Sequence, residues 1–218
     1  MRLNCQGMAL LTGLLLLAAV SLLAVTAAGT MTLQQHQAAN FADKTQARAN
    51  ALLAESFARA WLYSRVDSER QATCAADCLL PRGIYPDQDI PDNPEFESMA
   101  WWRSHGIPAG QSPVPGMMPG YVGERSTESL WVIEEIQFEP VDDPSVETGY
   151  SGVGYYRIIS RGSGKGPASI AVCETIVARP WGGEFVAMEF PPAAPLSLFC
   201  GQFDDARACG TLAWRSRR

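Results

Sequence analysis

The chain has 218 residues, which is enough for one membrane segment and one globular domain of ordinary size. Its net charge of −6 argues against a nucleic-acid-binding surface, because such a surface needs a basic patch. Charged residues make up 18% of the chain, below the usual ~25%, since the first forty residues hold almost none.

The first predicted element is an apolar helix, because the 21 residues of Met8–Ala28 carry no charge. About 20 apolar residues are enough to cross a bilayer, so a transmembrane helix is expected over 8–29. Arg2 lies on the short side of this run, and the positive-inside tendency then puts the N-terminus in the cytoplasm. The remainder would then lie outside the cytoplasm, although Lys44 and Arg48 on the far side of the run oppose this orientation.

Residues 30–63 predict an amphipathic helix that continues the apolar one. From Thr30 to Ser64 there is no Pro or Gly, and Ala, Leu, Gln, Arg and Glu, all good helix formers, dominate. Apolar residues recur at spacings near 3.6 and would form the stripe that docks a domain. These residues are Leu33, Phe41, Leu52, Leu53, Phe57, Ala60 and Trp61.

Residues 64–128 are rich in Pro, Gly, Asp, Asn and Ser, which indicates a loop-rich insertion. One short helix is expected near Glu95–Arg103. Trp101 and Trp102 are expected to cover the core beneath this insertion. An exposed aromatic contact patch is the alternative.

Residues 129–218 predict an antiparallel sheet followed by a cysteine-containing tail. Leu130–Phe138 is rich in β-branched and aromatic residues, and Gly154–Arg161 and Ser169–Arg179 flank a Gly-rich turn typical of a hairpin. Glu184–Phe190 alternates in polarity and predicts a fourth strand, ended by prolines. Hairpin connections imply antiparallel pairing, and the stripe of the long helix would cover the apolar face of the sheet.

The cysteines indicate an oxidising compartment for all but Cys5, which lies before the apolar run. Two close pairs, Cys74 with Cys78 and Cys200 with Cys209, suit small disulfide loops. The remaining one, Cys173, lies in an apolar strand pattern and is expected as a buried thiol. A zinc site is the competing interpretation, but neither histidine lies at ligand spacing from a cysteine pair.

The N-terminus resembles the leader of type IV prepilins. Gly7 is followed by Met-Ala-Leu-Leu-Thr and a long apolar run. In that family, prepilin peptidase cuts after this glycine and methylates the new N-terminus. The resemblance therefore implies a leader over 1–7, with cleavage after Gly7 and methylation of Met8.

Later segments resemble the PilX-type minor pilins. Met31–Asn40 (MTLQQHQAAN) and Ala47–Glu55 (ARANALLAE) are similar to the family's N-terminal helix, where TTLEERMAGN precedes AAEAAL. Trp131–Ile136 and Tyr156–Gly162 resemble further segments of the family. The resemblance implies an α+β, type IV pilin-like fold, in which a long N-terminal helix packs on an antiparallel sheet. It implies other minor and major pilins, prepilin peptidase and the inner membrane as partners, and no cofactor.

Thr12 stands at the fifth position after Gly7, where major pilins carry Glu. In the family, that carboxylate pairs with the N-terminal amine of a neighbouring subunit, and a paired buried charge can specify register. A subunit without it loses its contact with the subunit above, which a position at the filament tip would tolerate. The alternative is that Thr12 is a small polar residue bonded to its own helix backbone.

No catalytic or metal-binding residues are predicted. The glycines of 162–166 fail the spacing of a phosphate-binding loop and indicate a hairpin turn instead. His36 lies close to the membrane, so a Ser/His or Cys/His site would depend on His105 alone. Several loop aspartates could supply oxygen ligands for Ca²⁺ but lack EF-hand spacing, and are expected to be solvated: Asp87, Asp89, Asp92, Asp142 and Asp143.

The leading hypothesis is a structural protein and not an enzyme. It is a minor pilin that helps prime, assemble or cap a type IV pilus. The close alternative is a minor pseudopilin of a type II secretion system, which uses the same physics. The alternative of another class is a signal-anchored periplasmic enzyme or binding protein.

Overall fold

The computed structural model describes residues 6–67, 91, 93–110, 129–140, 151–203 and 207–217. The chain divides into two compact units, Met1–Asp43 and Lys44–Arg218. Most of the predicted leader and of the 64–128 insertion lies outside the described residues. So do Cys5, Cys74 and Cys78 and the five loop aspartates considered for Ca²⁺: Asp87, Asp89, Asp92, Asp142 and Asp143.

One long helix, α1, runs from Gln6 to Ser64. It confirms that the predicted apolar and polar helical segments are continuous. The sequence favours this outcome because Leu, Ala, Gln and Arg lose little side-chain freedom in a helix. The helix ends with Ser64 Oγ donating to the Trp61 carbonyl at 2.7 Å, which satisfies one of its last carbonyl groups.

The second unit contains a five-stranded sheet in the order β1-β2-β3-β4-β5, with every neighbouring pair antiparallel. The predicted antiparallel sheet is therefore confirmed. Its strands are β1 (Ile107–Pro108), β2 (Ser129–Pro140), β3 (Gly152–Ser163), β4 (Ile170–Trp181) and β5 (Gly210–Ser216). The β3–β4 hairpin turns over residues 164–169, where Gly164 N donates to the Ser169 carbonyl at 2.7 Å.

The C-terminal part of α1 packs on one face of this sheet through small residues. Ala47, Ala51, Ala54 and Ala58 are buried at the helical spacing of one face. Their size lets the helix approach the sheet closely at Gly162, where an added Cβ would overlap the Ala47 carbonyl and the Ala51 nitrogen.

The predicted apolar stripe is partly wrong. Trp61 and Ala60 are fully buried, but Leu52 and Leu53 are 40% and 48% exposed, and Leu33 and Phe41 of the first unit are exposed as well. Where α1 lies closest to the sheet, at Ala47 and Ala51, a large side chain would hold the helix away, whereas near its C-terminal end Trp61, Leu62 and Tyr63 are buried.

The opposite face of the sheet is covered by a short helix, α2 (Met99–His105), preceded by a 3-10 turn at Pro94–Phe96. Ser98 caps α2 by accepting from Trp101 N at 3.1 Å. Trp102 is fully buried and donates its indole N–H to the Pro94 carbonyl at 3.1 Å. The interpretation of Trp102 as a core residue is confirmed.

One prediction for the C-terminal region is wrong. Glu184–Phe190 forms no strand, because its backbone groups bond to separate partners and not to a neighbouring strand. Val186 exchanges two hydrogen bonds with the Gln202 side chain, and Met188 N donates to the Tyr63 carbonyl. The last strand is instead β5, within the predicted tail, after the short helix α3 (Ser197–Cys200).

Candidate functional site

The first unit presents a long apolar surface. Among the described residues, α1 is the helix long and apolar enough to cross a membrane, with a mean hydropathy of 2.4 in its apolar window, none of which is buried. Large aliphatic side chains from Leu10 to Val25 are 59% to 75% exposed. Each loses about 1.5–3 kcal/mol when it stays in water instead of an apolar environment, so this surface needs lipid or protein around it.

The residues of the predicted processing site lie at the start of α1. Gly7 and Met8 are within the helix, which begins at Gln6. Thr12 is exposed on the same helix one turn later. Further along, Thr26 Oγ1 donates to the Leu23 carbonyl at 2.9 Å, which is how a hydroxyl is satisfied within an apolar helix.

The structure joins Cys200 and Cys209 in a disulfide with a Cα–Cα distance of 5.5 Å. Both cysteines pack against the hydrophobic core, so the bridge ties α3 to the start of β5. Cys173 is a free, buried thiol that packs with Ala47, Ala51 and Ala171. Burial raises its pKa, which keeps it in the unreactive thiol form.

A buried arginine of β4 reaches the chain just after the end of α1, and no pattern in the sequence indicates it. Arg179 is fully buried, its guanidinium carbon is 3.3 Å from the Trp181 ring centroid, and Nη2 donates to the Arg65 carbonyl. Burial lowers the pKa of Arg179 to about 9, against the opposing effect of Tyr156 and then Asp67, so the group remains charged at neutral pH. The contact with the Trp181 ring helps to stabilise the buried charge, since the ring quadrupole attracts a cation that lies over the aromatic face.

A hydrogen-bond chain runs from this arginine's neighbour to the edge of the core. Trp181 Nε1 donates to the Tyr156 hydroxyl at 2.9 Å, and that hydroxyl donates to Glu135 Oε2 at 2.9 Å. The chain satisfies two buried polar groups, as a folded core requires. It joins β2, β3 and β4 on the α1 side of the sheet.

His105 is the histidine that a nucleophilic site would need, and its contacts are those of a helix end. Its ring stacks on Trp101 at 4.7 Å, and Nδ1 lies 3.0 Å from the Trp101 carbonyl and 2.8 Å from Ser104 Oγ. Ser104 Oγ donates to the Trp101 carbonyl at 2.8 Å, so its hydroxyl proton is bound to the helix backbone. Across the described ranges, no group of three His, Cys, Asp or Glu side chains could hold a metal ion.

Ion pairs of Arg215 and Arg217, of which only those of Arg217 are nearly buried, connect the last described residues to the sheet and to the 3-10 turn. Arg217 Nη1 donates to Glu95 Oε2 at 2.8 Å and Arg217 Nε to Glu174 Oε2 at 2.5 Å, while Arg215 also pairs with Glu174 at 2.8 Å. Arg217 N donates to the Val172 carbonyl as well. These contacts connect distant residues, and no spacing in the sequence indicates them.

Comparisons of the chain with protein-family models, with curated proteins and with solved structures find no match.

Proposed function

We propose that this chain is a minor pilin of the PilX type that helps prime, assemble or cap a type IV pilus. The observation that carries the proposal is α1. A single helix, Gln6–Ser64, begins with an uncharged apolar surface and ends with a face of alanines packed on an antiparallel sheet. A subunit whose anchor helix moves from the bilayer into a filament needs both an apolar helix surface and a domain packed on the same helix.

The mechanism in this proposal is packing. The apolar surface first lies in lipid, and the helices of neighbouring subunits later replace the lipid in the core of a filament. Ten exposed side chains would make these contacts: Leu10, Leu11, Leu14, Leu15, Leu16, Leu17, Val20, Leu22, Leu23 and Val25. The second unit would remain outside, where its disulfide fits an oxidising compartment.

Thr12 supports a position at the tip over a position along the filament shaft. A subunit in the shaft would need a carboxylate at this place to pair with the N-terminal amine of its neighbour. A threonine cannot form that ion pair, so the subunit is suited to a place with no subunit above it.

Deletion of the gene in its host tests this proposal. We expect fewer surface pili by electron microscopy, restored by a plasmid copy of the wild type. A Gly7→Val copy, which should escape prepilin peptidase, is expected not to restore them. Normal pili with reduced release of folded exoproteins would instead identify a pseudopilin. No change in either would favour an anchored enzyme or binding protein.

A further inference from the structure

Among the described residues, the strand β5 is the outer strand at one edge of the sheet of the second unit. It is the last strand in the sheet order, and no described strand pairs with its outer side. Its side chains are exposed along its length, including Leu212 at 52% and Trp214 at 43%. An exposed edge of seven residues with apolar side chains is a template for another strand.

The surroundings of this edge are basic although the whole protein is acidic. Arg48 lies over the Trp214 ring at 5.8 Å. Arg59 Nη1 donates to Thr211 Oγ1 at 3.0 Å, but its charge is already paired with Glu55 at 3.1 Å. Lys44 and Arg48 line an open hollow of about 360 Å³ over residues 168–171, at the start of β4, that reaches Ser216 at the end of β5. Among the described residues, no carboxylate pairs with either of these two cations.

The two cations also have the spacing of one face of a strand. Lys44 and Arg48 lie four positions apart on α1, which is a rise of about 6 Å along the helix axis. Alternate residues of a strand on one face are about 6.8 Å apart. Carboxylates at alternate positions of a strand would therefore match the spacing of the two cations.

The other face of β5 carries a second hollow of about 380 Å³, whose lining includes Ile176, Ala213 and Trp214. The carboxylate in its lining, Glu174, is already bonded to Arg215 and Arg217. The lining also includes Arg215, so the apolar part of this hollow is the part at Ile176 and Ala213. Strand addition obtains affinity from the backbone and specificity from such pockets for alternate side chains.

We propose that the β5 edge binds an extended segment of another protein that alternates acidic and apolar residues. The acidic residues face Lys44 and Arg48, and the apolar residues enter the hollow beside Ile176. A second copy of this chain fits less well, because two β5 edges would bring the same arginines together. The proposal does not depend on the pilus hypothesis.

The test uses the full chain in lipid nanodiscs and a fluorescent, end-blocked heptapeptide of alternating Val and Glu, measured by fluorescence anisotropy against empty nanodiscs. We expect saturable binding. Two further peptides carry methyl groups on the backbone nitrogens of either the odd or the even residues. One of them should bind at least tenfold more weakly and the other almost normally, because only alternate N–H groups point toward β5. The Val/Lys peptide should bind at least tenfold more weakly.

Charge reversal provides the matched control. The double variant Lys44→Glu, Arg48→Glu should lose at least tenfold in affinity for the Val/Glu peptide. Arg103→Glu, on α2 across the sheet, should retain the wild-type affinity. The absence of saturable binding, equal binding of both methylated peptides, or dimerisation of the chain through its own β5 would overturn the proposal.

Discussion

Gly162 shows how one residue sets the distance between helix and sheet. Its position in β3 faces the backbone of α1 at Ala47 and Ala51, and there is no room for a Cβ. The sequence places this glycine next to a Gly-rich turn, so it would be assigned to the turn. Its role in helix packing becomes evident only when the helix lies above it.

The variant Gly162→Ala should lower the free energy of unfolding by about 1–3 kcal/mol, because overlap with helix backbone cannot be relieved by turning a side chain. Thermal unfolding of the full chain, followed by tryptophan fluorescence, measures this effect. Gly201→Ala is the matched control, since its Cβ would lie 3.6 Å from the nearest atom, the Leu198 carbonyl oxygen. Equal midpoints for the two variants would contradict the packing argument.

Glu95 makes the stability dependent on pH. Burial raises its pKa, but the hydrogen bond from Arg217 and further contacts outweigh burial, and the net shift is below the ordinary value of 4.5. A carboxylate with a lowered folded-state pKa stabilises the protein above about pH 4.5 and loses this effect as pH falls through its folded-state pKa.

Glu95→Gln should therefore flatten the acid limb of the stability curve. Urea unfolding at several values between about pH 5 and pH 3 should show a smaller loss of stability for the variant than for the wild type. Glu97→Gln, two residues along the chain, is the control and should behave as the wild type does. An unchanged slope in Glu95→Gln would show that this contact does not determine the pH dependence.

At the scale of elements, the sequence predicted those with strong local signals. The long helix and the β2, β3 and β4 strands each have a continuous pattern, and the Gly-rich hairpin turn separates β3 from β4. Glu184–Phe190 has an equally regular alternation but forms no strand. Its backbone partners, Tyr63 and the Gln202 side chain, are set by tertiary packing, which alternation does not encode.

The short elements escaped prediction for the opposite reason. The strand β5 is exposed on both faces, so it shows no burial pattern, and β1 has only two residues.

The alanine face of α1 was missed because hydrophobic-pattern reasoning gives weight to leucine and phenylalanine. Where the helix lies close over Gly162, it buries alanines, and its large buried side chains, Trp61, Leu62 and Tyr63, come only in its last turn.

The Cys200–Cys209 bridge should stabilise the junction between α3 and β5. Replacing both cysteines with serine is expected to lower the free energy of unfolding by about 2–3 kcal/mol, the value for closing a loop of this length. The wild type treated with reductant should unfold at the same midpoint as the variant. A non-reducing peptide map should show the two cysteines linked, and finding both as free thiols would refute the bridge.

At the scale of the whole molecule, two units share one helix and have different surfaces. The first exposes aliphatic side chains that need an apolar environment, and the second has its own core of tryptophan, tyrosine and aliphatic residues. The sequence predicted an apolar helix over 8–29 and assigned residues 30–63 to the exported domain, whereas the boundary between the two units falls after Asp43. The sequence could not predict the ion pairs of Arg217 or the burial of Arg179, because these depend on residues far apart in the chain.

The central claim is that the apolar helix is processed and assembled as a pilin helix, and the mass of the N-terminal peptide from native membranes tests it most directly. We expect a peptide that begins at Met8 and carries one methyl group. A strain without prepilin peptidase should accumulate the form that begins at Met1. In the wild-type host, a start at Met1, or a start near residues 27–29, would contradict the claim.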